Sequence, residues 1–152
     1  MIWPFRRKSK KRMARIVIDE PITSSTRVSV LKALKQIEDR EFPALIVRID
    51  SPGGTVGDSQ EIYSAIKRLK DKGCKVIASF GNISASGGVY IGVASDKIVA
   101  NPGTITGSIG VIIRGNNLSE LLDKIGIKFE TVKSGVFKDI LSPDKPLSEE
   151  GR

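Results

Sequence analysis

The chain of 152 residues contains no histidine. That absence excludes Ser-His-Asp and Cys-His nucleophilic constellations, HExxH zinc sites and histidine proton relays. Any acid–base step therefore falls to Lys, Asp, Glu, Tyr or Cys. Cysteine is almost as scarce. Cys74 stands alone, so an intrachain disulfide and a Cys-rich zinc site are both excluded, and a reducing compartment is the simpler setting. Long apolar runs are missing too. Val76 to Ser95 carries twenty residues without a charge, but nine of them are Gly, Ser or Asn, which suits tightly packed backbone rather than a membrane span. Acidic residues are absent from the first fifteen positions, where Arg6, Arg7, Lys8, Lys10, Lys11, Arg12 and Arg15 gather. The remaining 137 residues hold 18 bases against 17 acids, so the formal charge of +8 belongs to an arm and not to the body.

What is present is the composition of a soluble globular chain: 39% hydrophobic and 28% charged residues over about one domain's length. Residues 1–14 read as a basic, flexible or membrane-surface arm, and residues 15–152 as one domain. Trp3 and Phe5 ahead of the basic cluster suit an anionic bilayer surface. No basic or aromatic face continues into the body, so nucleic acid is not expected as a partner. The arm also lacks the apolar core of a secretory signal peptide.

Along the body, short β-branched runs alternate with helical periodicity. Strands are expected at Arg15–Ile18, Ala44–Ile49, Lys75–Phe80, Lys97–Ala100 and Phe129–Val132. Between them Val30, Leu31, Leu34 and Ile37 mark one helix. Ile62, Ala65, Ile66 and Leu69 mark a second, with Asp58 or Ser59 as its cap and Gly73 as its stop. Val89, Tyr90, Ile91 and Val93 suit a short apolar helix, and Asn117 a cap for one built on Leu118, Leu121, Leu122 and Ile125. The alternation predicts an α/β fold with a mainly parallel sheet covered on both faces. The chain ends in what reads as a cap and first helical turn, Asp144 to Arg152, as though more were to follow.

In such a sheet ligands meet the carboxyl ends of the strands, where three Gly/Ser-rich corners fall. Asp50-Ser51-Pro52-Gly53-Gly54-Thr55 has adjacent glycines able to turn N–H groups toward an anion. Ser84-Ala85-Ser86-Gly87-Gly88 places Ser86 at a strand-to-helix corner with the Gly87 N–H beside it. Gly103 to Gly110 presents further hydroxyls, including Ser108. None matches the nucleophile-elbow, Walker A or dinucleotide fingerprints. Without histidine, a serine nucleophile needs a neutral lysine, which requires desolvation of the amine. Lys138, in Gly135-Val136-Phe137-Lys138-Asp139-Ile140-Leu141, has apolar neighbours, although Asp139 would hold its proton if their side chains met.

These segments, with Thr106-Gly107-Ser108-Ile109-Gly110-Val111 and Lys133-Ser134-Gly135-Val136-Phe137-Lys138-Asp139, resemble in order and spacing the protease IV (signal peptide peptidase A) family of serine peptidases. The resemblance runs over residues 15–147. It implies a crotonase-like, ClpP-type fold of repeated β-β-α units, with Ser86 as nucleophile and Lys138 as general base. It further implies Gly53 and Gly87 N–H groups as the oxyanion hole, with Gly54 an alternative to Gly53, and Ser108 as the residue orienting the lysine. No metal or organic cofactor is implied. The expected partners are peptide substrates, such as cleaved signal peptides, and further copies in a homo-oligomeric ring. The expected location is cytoplasmic or peripheral to a bacterial-type membrane. Family members usually carry a transmembrane helix and continue beyond this length. Three other readings share parts of this pattern: a stomatin-partner membrane peptidase, a non-catalytic assembly subunit of the same fold, and a crotonase-like acyl-CoA enzyme.

Overall fold

The computed structural model describes residues 12–149. Trp3, Phe5 and the basic cluster up to Lys11 lie outside the described residues, as do the last three. The chain forms two compact units that divide after Gly110.

The first unit runs β1 (Ala14–Ile18), α1 (Ser24–Asp39), β2 (Ala44–Ser51), α2 (Val56–Asp71), β3 (Lys75–Ala85), α3 (Gly87–Gly92), β4 (Lys97–Val99) and β5 (Ile105–Gly107). Every strand pairing is parallel, in the order β1-β2-β3-β4, with β5 also on β3. The α/β class and the parallel sheet expected from the alternation are present.

One face of the sheet builds the core. Ala14, Leu45 and Val76 form one cross-strand row, then Ile16, Val47 and Ala78, then Ile18, Ile49 and Phe80, all buried. Val30, Leu34 and Ile37 of α1 and Ile62, Ile66 and Leu69 of α2 close over these rows. Each such side chain contributes about 1.5–3 kcal/mol on burial. Within the described residues of the first unit, the helices cover one face of the sheet. α1 and α2 pack side by side and α3 joins α2. The opposite face carries Arg15, Ile46, Ile77 and Lys97 in one row and Val17, Arg48, Ser79 and Val99 in the next. Val17, Ile77 and Val99 are exposed there, and the interleaved cations cannot follow an apolar layer into a core.

α2 begins earlier than its periodicity suggested. Thr55 is the N-cap residue, its hydroxyl bonding to Asp58, and Asp58 lies in the first turn where its charge suits the helix dipole. Ser59 is already helical, donating to the Thr55 carbonyl at 2.8 Å. α3 lies directly on the sheet because its glycines have no side chains. A β-carbon on Gly92 would sit 2.5 Å from the Phe80 ring, and one on Gly88 3.1 Å from the Ser51 carbonyl oxygen.

The second unit holds α4 (Ser119–Lys124), where Asn117 Oδ1 accepts the Ser119 amide at 3.1 Å. Leu118, Leu121 and Ile125 are exposed. No strand forms at Phe129–Val132. A strand needs a neighbouring ladder, and among the described residues of this unit there is no other strand to pair with, so β-propensity alone is insufficient.

Candidate functional site

β3 ends at Ala85, and the chain turns sharply at Ser86 into α3. Ser86 adopts φ 50°, ψ −118°, a conformation that L-residues rarely take and that costs about 1–3 kcal/mol. Strain of this kind persists only where surrounding bonds enforce it. Here the Ser86 amide donates to the Gly107 carbonyl at 2.8 Å, and the Ser86 carbonyl accepts the Tyr90 amide at 3.0 Å. The serine is half-buried, with Gly87 and Gly88 buried behind it. As first residue of α3, Gly87 carries an N–H without an intrahelical partner.

The Gly53 corner meets Ser86 backbone to backbone. Gly53 is buried at φ 95°, and a β-carbon there would lie 2.7 Å from the Gly87 nitrogen, 2.8 Å from the Ala85 oxygen and 2.9 Å from the Ser86 Cβ. Its amide donates to Ser51 Oγ at 3.1 Å, and that hydroxyl donates to the Glu20 carbonyl at 2.7 Å. Gly54 bridges to Ile22 through its neighbours: Ile22 donates to the Gly53 carbonyl and Thr55 to the Ile22 carbonyl. The Gly54 N–H faces away from that bridge and has no hydrogen-bond partner among the described residues. It lies 3.4 Å from where a Gly87 side chain would begin.

The third corner joins through Gly107, whose carbonyl takes the Ser86 amide. Gly107 at φ 88° and Ser108 at φ 53° form a left-handed pair, with Ser108 exposed. Thus Ser86, Gly53, Gly87 and the Gly107–Ser108 corner belong to one hydrogen-bonded and close-packed arrangement at the carboxyl ends of β2, β3 and β5.

Lys138 belongs to the second unit and is exposed, so the burial that a neutral amine requires is not present around it. Among the described residues it forms no ion pair. The neighbouring Asp139 is occupied elsewhere. Its carboxylate accepts Lys133 Nζ at 2.7 Å and also Lys145 Nζ, and these cations, Lys133 first, pull its pKa down to about 2. Lys133 Nζ also donates to the Val136 carbonyl at 3.1 Å, so the clamp ties together the segment carrying Lys138.

Nothing in the local sequence gives Asp50, Ser51 or the Lys133–Asp139–Lys145 clamp a role of its own. Ser51 and Asp50 sit inside a quoted motif, and that position was the available signal. A cavity of about 470 Å³ at the far ends of α1 and α2 touches none of the three corners; Lys35, Glu38, Phe42 and Lys72 are among its lining residues. Cys74 also lines it, its thiol pKa pushed up by burial. Among the described residues no helix is long and apolar enough to cross a membrane.

The model of peptidase family S49 matches residues 68–152. The chain is 61% identical over 150 residues to "Putative protease slr0021" of Synechocystis sp., covering 99% of this chain and 54% of that protein. It is 40% identical over 114 residues to "Serine protease SPPA, chloroplastic" of Arabidopsis thaliana, covering 74% of this chain and 17% of that one. Among solved structures, a "1510-N membrane-bound stomatin-specific protease" mutant superposes with TM-score 0.63 at 27% identity, over 72% of this chain and 52% of that chain. The chain therefore spans about half the length, or less, of these relatives. On the family model and the extent of this identity, the chain belongs to peptidase family S49.

Proposed function

We propose that this chain carries the nucleophile, oxyanion and general-base segments of a serine endopeptidase acting on unfolded peptides. The observation that carries the reading is the strained Ser86 held against Gly53 and Gly87, two backbone corners that can present N–H groups to one carbonyl oxygen. A residue with a β-carbon could not occupy Gly53, so the close approach is a requirement of the arrangement.

In this mechanism the neutral amine of Lys138 takes the Ser86 hydroxyl proton as Oγ attacks the scissile carbonyl. The Gly87 N–H and the Gly53–Gly54 corner stabilise the oxyanion. Because the Gly53 N–H already donates to Ser51, Gly54 is the donor with the less committed amide. The leaving amine receives the proton from Lys138, and water then resolves the acyl-enzyme with the same amine as base. Ser108 orients Lys138. Lys138 must lose its exposure for this chemistry, so the active state is one in which further protein covers it, and a homo-oligomeric ring supplies such cover. Asp139, held by two other lysines, does not compete for the Lys138 proton.

Substrates are membrane-derived peptides such as cleaved signal peptides, with apolar residues near the scissile bond. The basic arm directs the protein to an anionic bilayer surface. The second reading is a peptidase acting on a stomatin-like partner, favoured by the likeness to the stomatin-specific protease. Quenched peptides of signal-peptide sequence and of stomatin sequence, supplied to the assembled protein, separate the two. Cleavage of the first set, lost in Ser86→Ala and Lys138→Ala, supports the proposal; cleavage of the second set alone supports the alternative.

A further inference from the structure

The sheet changes register once, beside the nucleophile corner. Ile49 of β2 lies opposite Phe80, and Ser51 lies opposite Ser84. One β2 residue, Asp50, therefore faces three residues of β3: Gly81, Asn82 and Ile83. A bulge of this kind removes ladder partners from the extra residues, and their amides need another acceptor. Asp50 supplies it. Its Oδ1 accepts the Ile83 N–H at 3.0 Å, and its Oδ2 accepts Asn82 Nδ2 at 3.5 Å. The carboxylate occupies the space that a side chain on Gly81 would fill, since a β-carbon there would sit 2.3 Å from Asp50 Cγ and Oδ2.

Other groups hold the same bulge. Thr104 Oγ1 donates to the Gly81 carbonyl at 2.8 Å, and Arg48 donates to the Phe80 carbonyl at 2.9 Å. Before the bulge β3 pairs with β4 through Ile77–Ser79; after it, β3 pairs with β5 through Ile83–Ala85. Ser86 is the first residue beyond that second segment. The Ile83 and Asn82 amides also hold the Asp50 carboxyl below its usual range, so the acceptor stays ionised at neutral pH.

We propose that Asp50 is a positioning residue for the Ser86 nucleophile: its carboxylate fixes the Gly81–Ile83 bulge and thereby sets where β3 ends and where Ser86 projects. This inference rests on the reading of Ser86 as nucleophile. Asp50 acts through the Ile83 amide and touches no reacting atom.

The test compares the assembled protein with its Asp50→Asn and Asp50→Ala variants in two measurements. One is the second-order rate of Ser86 modification by a fluorophosphonate probe, taken beside thermal melting. The other is residue-resolved amide hydrogen exchange. Asp50→Ala is expected to slow modification roughly 10- to 100-fold, the scale of an ångström misplacement, while melting stays cooperative. Asp50→Asn keeps one acceptor for the Ile83 amide and is expected to retain the larger share of the rate. Exchange is expected to rise at Ile83 and Ser86 and to stay unchanged in β1 and in Val76–Ser79. A wild-type rate in Asp50→Ala overturns the proposal. So does exchange that rises evenly across β1, β2 and β3, which would make Asp50 a general stabiliser. If the unaltered, assembled protein resists the probe, the peptidase reading fails by itself, and the exchange pattern still decides for or against Asp50.

Discussion

Gly53 and Ser86 approach so closely that a β-carbon on Gly53 would lie 2.9 Å from that of Ser86, in a backbone at φ 95° that side chains avoid. The turn after β2 and the turn after β3 are therefore a single packed unit. Gly53→Ala should destabilise the chain by about 2 kcal/mol or more, combining overpacking with backbone strain. Gly57→Ala is the contrasting change. Gly57 is helical in α2 with nothing within 4 Å of a new β-carbon, so alanine there should stabilise by about 0.5–1 kcal/mol. Urea unfolding of both variants checks the opposite signs.

Ser51 is fully buried and links the Gly53 amide to the Glu20 carbonyl through one hydroxyl. Ser51→Ala leaves both groups without that partner, and a loss of about 1–3 kcal/mol is expected. Ser51→Thr keeps the hydroxyl and should recover part of it. Equal stability of Ser51→Ala and the unaltered chain, measured by urea midpoint, would remove Ser51 from the account.

Much of this was legible from local sequence, and the failures share one cause. The β-branched runs at Arg15–Ile18 and Ala44–Ile49 became strands because their alternation is read residue by residue. The three glycine corners were found because turns announce themselves in Gly and Ser. Phe129–Val132 has the same β-branched and aromatic character but no ladder partner, and it stays irregular. The helix start at Val56 was set by Thr55 contacting Ile22, and the role of Asp50 by a bulge in a strand more than thirty residues away. Such long-range pairings leave no local periodic mark. The exposed face of the sheet was likewise decided by Arg15, Arg48 and Lys97 falling in phase across separate strands.

Acid should weaken the chain in a definable window. The Asp139 carboxyl is lowered from 3.8 to about 2 by Lys133 and Lys145, and Asp50 and Asp96 are also lowered, mainly by backbone amides. A carboxyl with a depressed folded pKa stabilises above its unfolded value and loses that contribution as pH falls through the folded value. For Asp139 the loss spans pH 4 to 2. Melting temperature followed from pH 6 to pH 2 should drop in this range. Asp139→Asn, already lacking the charge, should show a shallower drop; an identical slope would contradict the clamp.

The central claim is that Ser86 is a nucleophile activated by Lys138. Intact mass after incubation with a fluorophosphonate probe tests it most directly, on the assembled protein and on its Ser86→Ala and Lys138→Ala variants. The account predicts one adduct per chain in the unaltered protein, mapped to Ser86, absent in Ser86→Ala and at least about 100-fold slower in Lys138→Ala. A folded, assembled protein that takes up no probe, or whose labelling is indifferent to Lys138, would contradict it.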